Sequence, residues 1–111
     1  MRKAKAMWMS VLAGTLLYAA CAAADCLLPA PPSHIPDASS ASEQEMLAAM
    51  RTLKQYNDDV NEYTSCLEFQ QRQNRMTFED REKHRDDALN TLATVAARFN
   101  EQVRRFKARR S

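Results

Sequence analysis

The chain has 111 residues, of which 45% are hydrophobic and 27% charged. Its formal net charge of +2 is misleading: Arg2, Lys3 and Lys5 supply three of the 16 basic residues, so residues 25–111 carry 13 bases against 14 acids, a net of −1. A general nucleic-acid footprint needs an excess of basic charge on the folded part, which excludes that class.

The first segment reads as an export signal. A basic stretch, Arg2-Lys3-Ala4-Lys5, precedes an apolar run from Ala6 to Ala24, and small residues at Ala22 and Ala24 stand before the polar Asp25. This is the order of a secretory signal peptide over 1–24. The alternative is a membrane-spanning helix, since the run is about long enough to cross a bilayer. The abrupt switch after Ala24 favours cleavage, and no second apolar run of spanning length follows. Tyr18-Ala19-Ala20-Cys21 also resembles the box cut by the lipoprotein signal peptidase, with Tyr where Leu is usual, so lipidation at Cys21 stands as a second processing route. A lipid there would anchor the chain to a membrane without changing its fold. The expected compartment is periplasmic or secreted, with a membrane-anchored lipoprotein as the alternative.

Cys26 and Cys66 survive either route. In an oxidising compartment a lone pair is most simply one disulfide, the alternative being two free thiols.

Residues 27–41 hold all four prolines, at 29, 31, 32 and 36. Proline fixes φ and removes donors, so residues 25–41 are expected to form an extended arm. From Ser42 onward there is neither Gly nor Pro, and Ala, Leu, Met, Gln, Glu and Arg abound, which favours long helices. Ser42 with Glu45 forms a capping box. A stripe follows at Met46, Met50, Leu53, Asn57, Val60, Thr64 and Leu67, widened by Ala49, Tyr56 and Tyr63. A second stripe runs Leu89, Leu92, Ala96, Phe99, Val103 and Phe106, with Thr77 as N-cap and Glu79 and Asp80 in the first turn.

Between the stripes Gln70-Gln71-Arg72-Gln73-Asn74-Arg75 is polar on every face, which sets the turn at about 73–77. The expected fold is all-α: a coiled-coil-like antiparallel hairpin over 42–111, with helices at about 43–73 and 78–108. One continuous helix that dimerises is the competing architecture. Charge favours the hairpin, because residues 43–68 carry six acids and two bases while residues 98–110 carry six bases and one acid. The arm is long enough to run back along the first helix, join Cys26 to Cys66 and lay Leu27, Leu28 and Ile35 over a seam that two helices alone could not fill.

At Tyr56-Asn57, Tyr63, Cys66 and Phe99-Asn100-Glu101-Gln102-Val103 with Phe106-Lys107, the chain resembles small secreted proteins of proteobacteria, especially of Xanthomonas-like genomes. The resemblance implies a signal peptide, a Pro-rich arm with one cysteine and two helices; it implies no activity and no cofactor.

Candidate chemistry is sparse. The mature part has no glycine to bring backbone close to a ligand, and its acids are spread along charge-rich helix faces, so no enzyme is expected. Asp80, His84 and Asp87 at i, i+4 and i+7 are weak metal-ligand candidates, as are Met46 and Met50 for a soft ion, and His34 is weaker still. The cluster Arg104, Arg105, Lys107, Arg109 and Arg110 suits a helix C-terminus or an anionic lipid surface, with Ala108-Arg109-Arg110-Ser111 as an unengaged tail. Tyr56, Tyr63 and Phe69 are the candidates for an apolar interaction flank. The expected role is a non-enzymatic scaffold or protein-interaction module, working through an unknown protein partner or by self-association. A periplasmic metal- or stress-related binding protein, or a chaperone-like hairpin, is the alternative.

Overall fold

The computed structural model describes residues 25–110; the expected signal peptide and Cys21 lie outside them. Two helices, α1 (Glu43–Arg72) and α2 (Phe78–Arg110), pack against each other as a hairpin, and the competing single long helix is ruled out. At 30 and 33 residues they run about 45–50 Å each.

Both expected caps form: Glu45 N–H donates to Ser42 Oγ, and Asp80 N–H donates to Thr77 Oγ1, each at 3.1 Å. The turn closes without glycine because Asn74 takes the left-handed conformation, φ 58°. Asn74 N–H then reaches the Gln71 carbonyl and Arg75 N–H the Gln70 carbonyl, each at 2.9 Å, so that two orphan carbonyls at the end of α1 are satisfied.

The seam keeps Met46, Leu53, Val60 and Leu67 of the stripe expected on α1 and Leu92, Phe99 and Phe106 of that on α2. At every second position it takes the neighbouring residue instead, which on α1 is the widening set Ala49, Tyr56 and Tyr63. On α1 the inward line is Met46, Ala49, Leu53, Tyr56, Val60, Tyr63, Leu67 and Gln70; Met50 and Asn57 are exposed and Thr64 is half-buried. On α2, Ala88, Val95 and Phe99 are buried, with Leu92, Gln102 and Phe106 half-buried along the same line, while Leu89, Ala96 and Val103 stand on its shoulder. Spacings alternate three and four throughout, as in a coiled coil. Both lines rotate toward the same side, and that side carries the arm. The core is therefore a three-way contact: Cys26 and Ile35 pack against the cluster of Tyr56, Val60, Tyr63 and Leu67, and Ile35 also against Ala41, Met46 and Phe99.

Cys26 and Cys66 are joined, with Cα atoms 5.7 Å apart and the two residues 40 positions apart in sequence. The expected cover of the seam is corrected in part. Ile35 packs inward and Pro36 is buried, but Leu27 and Leu28 remain 87% and 66% exposed, because next to Cys26 the chain is held at the outer edge of α1 by the disulfide.

Candidate functional site

Past Pro36 the arm turns. Asp37 Oδ1 accepts from the N–H and Oγ of Ser39, and the Asp37 carbonyl accepts from the N–H groups of Ser40 and Ala41. The Ser39 backbone and side-chain donors hold the Asp37 carboxyl below its ordinary value. This turn is gripped by the far end of α2. Gln102 Oε1 accepts from Ala38 N–H at 2.9 Å, and Arg109 donates one nitrogen to the Ser39 carbonyl and the other to that of Ala41, both at 2.8 Å. Arg110 pairs with Glu43 at 2.8 Å, as the opposed charge of the two segments requires. The tail expected to be unengaged is thus committed at Arg109 and Arg110, because folding back puts open carbonyls and Glu43 within reach of their forks.

The arm covers one flank of the hairpin and leaves the other open. On the covered side a cleft of about 600 Å³ lies between Pro31–Pro36 and Ala48, Ala49, Thr52 and Leu53 of α1. On the opposite side, at the end of the hairpin away from the turn, a groove of about 450 Å³ is floored by Met46 and Phe99 and walled by Leu47, Met50, Val103 and Phe106, with Glu43, Lys107 and Arg110 at its rim. Leu47 and Met50, 43% and 50% exposed, stand side by side on this groove, whereas the barer Leu27, Leu28 and Phe78 lie outside it.

Of the residues expected to form an interaction flank, Tyr56 and Tyr63 are instead buried in the seam, where the rotation toward the arm takes them. Burial raises both phenol pKa values, with the nearby Asp87 charge adding to the rise at Tyr63. Phe69 is exposed but stands beyond the cysteine bridge, far along α1 from the groove. The metal candidates do not converge: among the described residues no three His, Cys, Asp or Glu side chains gather. Asp87 is paired with Lys83 at 3.3 Å, Met46 is in the core and Met50 is on the open flank. Near the turn, Arg81 lies over the Phe78 ring and bonds Glu82 at 2.8 Å, leaving its Nε buried without a partner.

Sequence reasoning missed the groove. Its signal was the width of the apolar band, with Leu47 and Met50 added to a seam that Met46, Ala49 and Leu53 already satisfy, and Val103 beside a line running through Phe99, Gln102 and Phe106. Comparison with known protein families, with curated proteins and with solved structures finds no match.

Proposed function

We propose that the processed chain is a non-enzymatic module of the cell envelope: a stapled helical hairpin that works by offering a surface, not by making or breaking bonds. The observation that carries this reading is the division of labour between the two flanks. Polar side chains with long-range bonds, Gln102, Arg109 and Arg110, are spent on fixing the arm and the helix ends, while Leu47 and Met50 line an open apolar groove on the other side. Export is supported by the basic and apolar order of residues 2–24 and by the Cys26–Cys66 bond, which suits an oxidising compartment. No helix among the described residues is long and apolar enough to cross a membrane.

The test is made in the envelope fraction of the host. A photo-crosslinking residue at Met50 should give a discrete adduct, and one at the exposed Asp58 should not. Equal labelling at both positions, or none at either, would remove the reading. The intact mass of the same material reports processing: a chain beginning at Asp25 with two masked thiols is a soluble product, and a diacylglyceryl mass on Cys21 is an anchored one.

A further inference from the structure

We infer that the groove on the open flank binds the acyl chain of a single-chain anionic amphiphile, whose headgroup is met by Lys107. The inference deepens the proposed function and rests on it for the open flank being the working surface.

The groove separates an apolar trough from a charged end. Met46, Phe99, Leu47, Met50 and Val103 supply floor and walls with no polar side chain among them. Its volume of about 450 Å³ lies within the roughly 300–1,000 Å³ typical of small-ligand clefts. All three rim charges, Glu43, Lys107 and Arg110, sit at the end where α1 begins and α2 finishes. Glu43 and Arg110 satisfy each other, and the Arg110 guanidinium lies over the Phe106 ring at 5.5 Å. Lys107 is exposed and has no ion-pair partner among the described residues. The rim therefore presents one uncommitted cation beside an apolar trough, which is complementary to a carboxylate or phosphate carrying a hydrocarbon chain.

Two other occupants fit less well. A second copy docked groove to groove would bring two like ends together, where the six bases of residues 98–110 outnumber Glu43, Glu45 and Glu101. Such a pairing is opposed by charge. A docked protein helix needs anchors at i, i+3, i+4 and i+7. The open flank of α1 turns polar at once beyond Met50, with exposed Lys54, Asn57 and Asn61, so the trough spans only about two helical turns there. An acyl chain needs no such periodic anchors, and every buried methylene raises affinity by up to about fourfold.

The experiment is isothermal titration of the protein, as processed by its host and with its disulfide intact, with dodecanoate below its micellar concentration. Dodecyltrimethylammonium serves as the charge-reversed probe. One equivalent of dodecanoate should bind. Lys107→Glu and Met50→Asp, both at exposed positions, should each weaken it by about tenfold or more. On the unmodified protein the cationic probe should bind at least about tenfold more weakly, and Lys107→Glu should narrow or reverse that gap. Circular dichroism of both variants checks that the hairpin persists. Equal binding of the two probes, or dodecanoate affinity unchanged in Met50→Asp, overturns the inference. So does sedimentation with phosphatidylglycerol vesicles that is indifferent to Met50→Asp, which would assign the basic end to a membrane surface. If dodecanoate fails to bind but a discrete adduct still forms at Met50 in the envelope, the amphiphile falls and the interaction module stands; if neither occurs, both fall.

Discussion

Gln102 Oε1 accepts the backbone N–H of Ala38 at 2.9 Å, a bond between residues 64 apart in sequence that ties the arm to the last turns of α2. Ala38 is 1% exposed, so its N–H has no recourse to water once Gln102 is removed. Gln102→Leu should cost about 1–3 kcal/mol, the penalty of a stranded buried donor. In thermal unfolding followed by circular dichroism this is a fall in Tm of roughly 5–15 °C for a domain of this size. Gln102→Glu keeps an acceptor oxygen and should lose less than half as much. Equal losses would mean that Gln102 acts through packing instead of through the bond.

The cysteine bridge should contribute more than any single polar contact. Constraining 40 residues of the unfolded chain is worth about 4 kcal/mol in the chain-entropy account, against a total stability of roughly 5–15 kcal/mol. Cys66→Ser, or the double replacement with Cys26→Ser, should lower Tm by upwards of about 15 °C. A change of only a degree or two would show that Gln102 and Arg109 hold the arm unaided.

Asn74 pays a steric cost for its positive φ that glycine would not. Asn74→Gly should therefore be neutral or stabilising by up to about 1 kcal/mol, while Asn74→Val should destabilise by about 1–2 kcal/mol, since a branched Cβ is worst in that region. Urea unfolding at fixed slope measures both. A loss in the glycine variant would point to an Asn74 side-chain contact as the source of its value.

What could be read in advance was what local sequence decides. Helix ends were legible because Ser42 and Thr77 carry their own capping chemistry and no Gly or Pro interrupts the chain between them. The break at 73–77 was legible as a polar stretch, although its mechanism lay in Asn74, the residue type after glycine best able to take the left-handed conformation. The register of the seam was not legible. Met46-Met50-Leu53 and Met46-Ala49-Leu53 are both acceptable stripes when the apolar band is wide, and the choice is made by Ile35 and Pro36, which arrive from outside the helix and pull the seam toward themselves. The groove follows from that choice. Rotation buries Tyr56 and Tyr63, which the sequence offered both to the widened core stripe and to the surface, and exposes Met50, a candidate for the core. The engagement of Arg109 is hidden in the sequence for the same reason: its acceptors, Ser39 and Ala41, lie about 70 residues away and come within reach only when the arm turns at Asp37.

That turn should also leave a signature in acid. The Ser39 N–H and hydroxyl donate to Asp37 Oδ1 at 2.9 and 2.7 Å and depress the carboxyl below 3.8, with the Arg105 charge assisting and slight desolvation opposing. As pH falls the unfolded chain takes up this proton before the folded one does. The contribution of the charged turn is therefore complete above the ordinary carboxylate value, shrinks below it, and is lost once pH passes through the folded value. Asp37→Asn keeps an oxygen for Ser39 but removes the titration. The Tm gap between the native protein and this variant should be at its full value from about pH 5 upward and should narrow as pH falls below the reference carboxylate value. All other carboxylates are common to the two proteins and cancel in the comparison. A gap that stays constant across the range would mean that the turn is held by its backbone bonds to Ser40 and Ala41, with the Asp37 charge contributing nothing.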